Sequence, residues 1–228
     1  MNININVINN YGELRLGRAV TSIALDPEPG FVNAFAQTPD GTIYCATSSP
    51  GRIFKIVHDQ ATVVFKASPD FPQILALAAD SQGRILAGVA GDHAELLRLT
   101  PGADATLHSA QLFADPAVNY IWTILPQADG TVLLGTGPDG GIWQVDAQGR
   151  GALLAKTGGT NVLSLLNTTQ GIVAGTDSEG LVLRLDPKTH KPFVLLDAGE
   201  GDRTARAQDP SGNIYVAAGS AQTRPGFN

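Results

Sequence analysis

The hydrophobic and polar positions of this chain follow a strand-like pattern that recurs five times. Each copy has a short apolar strand, a turn that contains glycine, a second apolar strand, and a loop rich in Gly, Asp and Ser. No window of about 11–18 residues shows a sustained helical stripe, so the pattern predicts an all-β chain. The turn glycines are Gly41, Gly83, Gly130, Gly171 and Gly212, at spacings of 42, 47, 41 and 41 residues.

Each complete copy of the repeat predicts four strands, which we name A to D in chain order. Strand A precedes the turn glycine, strand B follows it, strand C repeats an apolar, long polar, apolar triplet, and strand D is looser. Four short strands in each unit of about 40–45 residues are typical of the blades of a β-propeller. A small residue recurs at the middle of strand B, which indicates that neighbouring backbones approach closely there. The predicted A strands are 32–36, 74–78, 121–125, 162–166 and 203–207, and the small residues are Ala46, Gly88, Gly135, Gly175 and Ala217.

The fifth copy is divided between the two ends of the chain. Its strands A and B lie at the C-terminal end, and the triplet of strand C occurs instead as Leu14-Arg15-Leu16, followed by residues 20–25. Leu14 precedes the small residue Ala46 by 32 positions, and the matching distances elsewhere are 32 to 38 positions. An antiparallel ladder between the two ends would close a ring and pair strand edges that are otherwise free.

We therefore predict a single domain over residues 1–228, an all-β, five-bladed β-propeller whose last blade is shared between the N- and C-termini. The predicted blades span about 31–70, 71–115, 118–157, 160–198, and 201–219 together with 11–26. Two alternatives remain open. The chain could be a fragment of a larger propeller, or it could complete its ring by oligomerising.

Two segments of the repeat carry recognisable motifs. Asp40-Gly41-Thr42-Ile43-Tyr44 has counterparts at residues 129–133 and 211–215, and Pro50-Gly51-Arg52-Ile53 is followed later by Asp139-Gly140-Gly141-Ile142-Trp143. Both motifs resemble the repeat of NHL-type propellers, whose wider group includes gluconolactonase-like and streptogramin-lyase-like proteins. The resemblance implies the fold. The metal-binding and catalytic carboxylates of the enzymes in this group match no positions here, so the resemblance implies no catalytic residue.

The composition excludes several classes of protein. A net charge of -6 and a pI near 5.1 argue against nucleic acid or an anionic membrane as the partner. The single cysteine, Cys45, excludes an intramolecular disulfide and a multi-cysteine zinc site, and its position predicts a buried core residue. The N-terminus has neither the basic nor the apolar region of a signal peptide, so the default expectation is a cytoplasmic protein.

The residues that immediately precede the five A strands form a candidate binding site. Aromatic, amide and carboxylate side chains together suit carbohydrate or other small polar ligands, which need stacking and directional hydrogen bonds. These positions should surround the mouth of the central channel, and because they differ, any site should be a single asymmetric one. The alternative is that they are ordinary loop residues. The five are Phe31, Gln73, Tyr120, Asn161 and Asp202.

The fifth A strand adds two arginines to this candidate site. It reads Asp202-Arg203-Thr204-Ala205-Arg206-Ala207 where the other copies are apolar. Arginine suits bidentate capture of a carboxylate or phosphate, so Arg203 and Arg206 are candidate ligand-binding residues. The alternative is that this shared blade is more solvated and that Arg206 pairs with a nearby acid.

The remaining chemistry in the sequence is weak. Loop carboxylates are numerous, but an Asp in a turn usually bonds its own backbone, and the four histidines have no ligand spacing. We therefore predict no catalytic residue, metal site or cofactor. The predicted function is that of a non-catalytic binding or interaction propeller, which binds a protein or a polar small ligand. We expect a monomer rather than an oligomer. The alternatives are a lectin-like sugar-binding module and a hydrolase or lyase of the gluconolactonase-like type.

Overall fold

The structure is a computed structural model and describes residues 2–3, 6–8, 14–16, 20–27, 30–177, 180–197, 203–209 and 211–219. Side chains are described for residues 22–27, 30–177, 180–197, 209 and 211–216. Every regular element in these ranges is a β-strand. The all-β prediction is therefore confirmed. Within the same ranges no helix is long and apolar enough to cross a membrane.

The strands follow one another in the predicted order. Four short strands come first, at Asn2–Ile3 (β1), Asn6–Ile8 (β2), Leu14–Leu16 (β3) and Val20–Thr21 (β4). Blade 1 contains Phe31–Gln37 (β5), Ile43–Ser48 (β6), Arg52–Val57 (β7) and Gln60–Lys66 (β8). Blade 2 contains Gln73–Ala79 (β9), Ile85–Ala90 (β10), Ala94–Pro101 (β11) and Leu107–Ala114 (β12). Blade 3 contains Tyr120–Pro126 (β13), Val132–Gly137 (β14), Gly141–Val145 (β15) and Gly151–Lys156 (β16). Blade 4 contains Val162–Thr168 (β17), Gly171–Thr176 (β18), Leu181–Leu185 (β19) and Pro192–Asp197 (β20), and a hairpin of Arg203–Gln208 (β21) and Ile214–Gly219 (β22) follows.

Each blade is an antiparallel meander, and the blades stack through their first strands. Strand β9 packs between β5 and β13, and β17 packs between β13 and β21. A separate cluster of buried apolar side chains fills each of the three interfaces between blades 1 and 4, around Ile74, Ile121 and Val162. Burial of a side chain of this size stabilises the fold by about 1.5–3 kcal/mol relative to exposure. The core therefore lies between the blades rather than within any one of them.

The small residues of the second strands lie where neighbouring blades approach most closely. A Cβ atom added to Gly135 would lie 2.5 Å from Thr123 Cγ2 and 2.7 Å from the Val162 carbonyl oxygen. At the matching position of blade 2, a Cβ atom on Gly88 would lie 3.0 Å from the Cβ of Ile121. The predicted close approach is confirmed, and it is tighter between blades 3 and 4 than between blades 2 and 3.

The prediction for the two ends of the chain is confirmed only in part. The hairpin β21–β22 forms as expected, and β21 packs on β17. In the described pairings, however, Leu14–Leu16 pairs with Asn6–Ile8, and Val20–Thr21 pairs with Asn2–Ile3. A ladder between Leu14–Leu16 and Ile214–Gly219 is not among them. The count of five blades and the sharing of the last blade are therefore not confirmed and stay a prediction.

The faces on either side of the predicted fifth blade are apolar and exposed. Phe35 of blade 1 is 63% exposed, whereas Leu77 and Ile124, at the same position in the next two blades, are 8% and 9% exposed because the preceding blade covers them. Leu196 of blade 4 is 45% exposed, whereas its counterpart Ala155 in blade 3 is 9% exposed against the following blade. Among the described residues, Phe35 of blade 1 and Leu196 of blade 4 thus stay exposed next to the predicted fifth blade.

Candidate functional site

A groove of about 670 Å³ opens where the connection between blades 1 and 2 meets the loop between the second and third strands of blade 2. It is lined by residues 69–73, residues 90–93 and Tyr120 at the start of blade 3. In blades 1 to 3 these two kinds of loop lie on one face of the molecule, because the N–H groups of Gly51, Ala94 and Gly140 donate to the carbonyl oxygens of Pro72, Val118 and Thr160. The groove has a size common among small-ligand sites, which are about 300–1,000 Å³.

The two loops that form the groove are in direct contact. A Cβ atom added to Gly91 would clash with the Asp70 carbonyl oxygen, so any side chain at Gly91 would displace the connection between the blades. Backbone hydrogen bonds hold both loops in place. The Gly51 N–H donates to the Pro72 carbonyl at 2.8 Å, and the Gly91 N–H donates to the His93 carbonyl at 2.9 Å. The groove is therefore set by backbone packing.

Tyr120 lines the groove and is supported by a second aromatic ring. The ring of Tyr120 stacks on Trp122 with centroids 5.1 Å apart and an angle of 28° between the planes. Tyr120 is 39% exposed, and the indole N–H of Trp122 donates to Asn161 Oδ1 at 2.8 Å. A ring held in this way presents a flat apolar surface without the entropy cost of ordering a mobile side chain.

The groove also contains an imidazole and carboxylates. The ring of His93 meets Phe71 edge to face, with centroids 5.1 Å apart, and His93 Nε2 lies 3.7 Å from Glu95 Oε1. Asp70 and Asp92 are exposed, and neither carboxylate has a hydrogen-bond or ion-pair partner among the described residues. Among the residues that the structure describes, no Lys or Arg lines the groove, and its charged lining residues are the carboxylates Asp70 and Asp92.

Asn161 connects the groove to blade 4. Its backbone N–H donates to Asp177 Oδ1 at 2.8 Å, and its amide Nδ2 donates to Asp177 Oδ2. Its Oδ1 accepts the bond from Trp122, so a polar chain runs from the aromatic pair of blade 3 to the next blade. The amide of Asn161 is thus engaged in positioning Trp122.

The structure brings together part of the predicted ring of mouth residues. Gln73 and Tyr120 line the groove, and Asn161 joins it through Trp122. Phe31 begins β5, is 71% exposed and does not line the groove. Asp202 and the side chains of Arg203 and Arg206 lie outside the described residues. The ligand-binding role of all seven stays a prediction.

The sequence does not distinguish four residues of the site from others of their kind. Asp70 and Asp92 are two of many loop carboxylates, His93 is one of four histidines without ligand spacing, and Trp122 is one residue of a predicted A strand. The signal that distinguishes the first three is their position in the two loops that flank strands A and B of the same blade. Direct contact between those loops decides which of the many similar residues share one groove.

The carboxylates on the opposite face bond their own turns, as predicted. Asp129 Oδ1 accepts from the Thr131 N–H at 3.0 Å and from the Thr131 hydroxyl at 2.7 Å. The same arrangement recurs at Asp40 with Thr38 and Thr42. These hydrogen bonds stabilise the ionised form and lower the pKa of both carboxyl groups below the usual value. In the described part of the chain, no group of three His, Cys, Asp or Glu residues is placed to hold a metal ion.

No family model matches the chain, and no curated protein matches it. Several solved structures do. A protein of unknown function from Bacteroides caccae aligns at 15% identity and a TM-score of 0.63, over 85% of this chain and 72% of that one. A protein solved under the description of a gluconolactonase aligns at 13% identity and a TM-score of 0.56, over 87% and 75% of the two chains. The fold is that of a β-propeller.

A third propeller with the same likeness is the PQQ-bound aldose sugar dehydrogenase of Streptomyces coelicolor. It aligns at 15% identity and a TM-score of 0.55, over 68% of this chain and 60% of that one. The repeat motifs of this chain resemble those of the NHL-like and gluconolactonase-like propellers. The structural neighbours, which include a gluconolactonase and other propellers, are consistent with that resemblance. At these identities the likeness is one of fold.

Proposed function

We propose that this β-propeller is a non-catalytic binding protein that holds a polar small ligand of the carbohydrate kind in the groove between blades 1, 2 and 3. The observation that carries the proposal is the exposed Tyr120 ring, stacked on Trp122, in the same groove as carboxylates that have no partner among the described residues. A sugar ring can stack on the aromatic face while its hydroxyl groups bond to Asp70, Asp92 and the amide of Gln73.

The construction of the groove supports binding rather than a structural role for these residues. Exposed aromatic rings and unpaired carboxylates contribute little to folding stability, whereas they supply the stacking surface and the directional acceptors that a polyhydroxylated ligand needs. The names of two structural neighbours, an aldose sugar dehydrogenase and a gluconolactonase, refer to sugars or sugar lactones, which is in keeping with a ligand of this class.

A glycan array tests the proposal, with Tyr120→Ala as the groove variant. Phe31→Ala is the matched control, because Phe31 begins the first strand of its blade as Tyr120 does but does not line the groove. We expect binding that Tyr120→Ala weakens at least tenfold and Phe31→Ala leaves unchanged. An array on which nothing binds would overturn the proposal, and turnover of a sugar lactone or glycoside would replace it with the hydrolase or lyase alternative.

A further inference from the structure

A chain of hydrogen bonds leads from the groove to a carboxylate that does not line it. The indole N–H of Trp122, which stacks on Tyr120, donates to Asn161 Oδ1 at 2.8 Å. The amide Nδ2 and the backbone N–H of Asn161 donate in turn to the two carboxylate oxygens of Asp177. Asp177 follows the second strand of blade 4 and is not among the residues that line the groove. It is nevertheless linked to the aromatic ring that does.

The carboxylate of Asp177 determines which way the Asn161 amide faces. An ionised carboxylate only accepts hydrogen bonds, so the amide NH₂ faces Asp177 and the amide oxygen faces away from it. That oxygen then meets the indole N–H of Trp122, which can only donate. If the amide were turned over, its NH₂ would face the indole donor and its oxygen would face the carboxylate. Both hydrogen bonds would be lost together, so a single orientation is stable.

Blade 4 differs from the other blades at the position of Asp177. The backbone N–H of Asp177 donates to the Asn161 carbonyl at 3.2 Å, which places the two residues opposite each other at the ends of their strands. In the first three blades the residues opposite Phe31, Gln73 and Tyr120 are small, namely Ser48, Ala90 and Gly137. A carboxylate therefore occurs here only in the blade that holds Asn161.

The backbone of blade 3 confines the same amide from another direction. A Cβ atom added to Gly137 would clash with Asn161 Oδ1 and would lie 3.0 Å from Trp122 Nε1. The hydrogen bond between the indole and the amide thus lies directly against the backbone of β14.

We infer that Asp177 is a positioning residue for the ligand site and controls the affinity of the groove from blade 4. It acts through the Asn161 amide on Trp122, and so on the ring of Tyr120. The inference rests on the proposed function and adds to it a residue outside the groove that sets the strength of binding. Removing the carboxylate allows the amide to turn over and releases the indole.

The first experiment follows the indole N–H of Trp122 by NMR, without any ligand. Hydrogen exchange of this proton should be about three- to tenfold faster in Asp177→Asn and in Asn161→Asp, which corresponds to the loss of one hydrogen bond. The second tryptophan of the chain, Trp143, packs on Phe113 with centroids 5.6 Å apart and serves as the internal control. Its indole exchange should stay unchanged.

The double variant Asn161→Asp with Asp177→Asn provides the decisive comparison. It exchanges the donor and the acceptor between the two positions, so the new carboxylate at position 161 can accept both from the amide at position 177 and from the Trp122 indole. Exchange of the Trp122 indole should return to within about twofold of the wild type. A general loss of packing would not be reversed by a second substitution of this kind.

The second experiment applies the same variants to the glycan array, read at graded protein concentrations. Each single variant should weaken binding of the glycans that the wild type binds by about three- to tenfold, and the double variant should restore it. Asp186→Asn is the matched control, since it removes a blade 4 carboxylate that accepts from the Lys188 and Thr189 N–H groups of its own turn. It should change neither the array nor the indole exchange.

The outcomes separate this inference from the proposed function. Single variants that leave the Trp122 indole unchanged, or a double variant that restores neither readout, would overturn the inference. Altered indole exchange with unchanged glycan binding would also overturn it and would leave the proposed function standing. A blank array with the wild type would defeat the proposed function, and with it the control of affinity by Asp177, while the indole exchange would still show whether Asp177 positions Trp122.

Discussion

Tyr120 and Trp122, two residues apart on strand β13, stack face to face with their ring centroids 5.1 Å apart. Trp122 lies at an irregularity of β13, where the register on β14 shifts between Ile121 and Thr123, and such a bulge changes the direction of the side chain. Trp122 is in turn held by its hydrogen bond to Asn161 in the connection to the next blade. The orientation of an exposed ring in the groove therefore depends on a residue of a different blade.

This dependence predicts the effects of two substitutions at Trp122. Trp122→Phe keeps an aromatic ring beneath Tyr120 but removes the donor to Asn161, so unfolding should become about 1 kcal/mol easier while binding falls only a few-fold. Trp122→Leu removes the stacking surface as well and should weaken saccharide binding at least tenfold. Urea unfolding and titration calorimetry measure the two effects. If Trp122→Leu binds as the wild type does, Tyr120 needs no support from Trp122.

The close approach of successive blades predicts an order of stability between two glycine variants. Gly135→Ala places a methyl group 2.7 Å from the Val162 carbonyl oxygen, a backbone atom that cannot move freely, and should lower the free energy of unfolding by about 2–3 kcal/mol. Gly88→Ala meets Ile121 at 3.0 Å and should cost about 1 kcal/mol. Urea unfolding of both variants decides the order. Equal values would mean that the interfaces on either side of blade 3 are packed alike.

The hydrogen bonds of the turn carboxylates predict that the stability of the first hairpin depends on pH. Hydrogen bonds from the Thr38 hydroxyl and from the Thr42 N–H lower the pKa of Asp40 below its usual value. The resulting stabilisation is present above the unfolded-state pKa near 3.9 and is lost as the pH falls through the lower pKa of the folded state. Thr38→Val should raise the Asp40 pKa in an NMR titration of its carboxyl carbon, whereas the pKa of Asp129, in the corresponding turn of blade 3, should stay as it is. No change at Asp40 would mean that the backbone donor alone holds the carboxylate.

The predicted sharing of the last blade can be tested by a cross-link between the two ends. The register of β6 on β7 pairs Tyr44 with Lys55, and the corresponding positions of the fifth copy are Tyr215 and Arg15. Arg15→Cys combined with Tyr215→Cys should form an intramolecular disulfide under mild oxidation, because residues directly opposite on antiparallel strands lie within reach of one. Native Cys45 is buried and should not compete.

The control for this cross-link is Arg15→Cys combined with Arg184→Cys, at the corresponding position of blade 4. It should remain reduced. Mass spectrometry after proteolysis identifies the product. A disulfide between two molecules would instead favour a ring completed by oligomerisation, and the absence of any disulfide would contradict the shared blade.

The strands could be predicted from the sequence because each depends on local chemistry. The turn glycines Gly41 and Gly130 adopt φ of 87° and 85°, a conformation that glycine reaches without steric cost, and apolar alternation marks the strands on either side. The mid-strand glycines also carry their own signal, since only a glycine fits at Gly135 against the next blade. The all-β class and the four-strand repeat follow from such residues.

The residues that line the groove and the pairing of the chain ends could not be predicted in the same way. Asp70 and Asp92 look like other loop acids until the contact of Gly91 with the Asp70 carbonyl brings their loops together, and Asn161 looks like a mouth residue until its amide is found bonded to Trp122 and Asp177. These are contacts between side chains and loops far apart in the chain. Repeat periodicity determines where each strand begins and ends, but only the packing of one blade on the next decides which loop residues meet, because that depends on three-dimensional distances that no local pattern encodes.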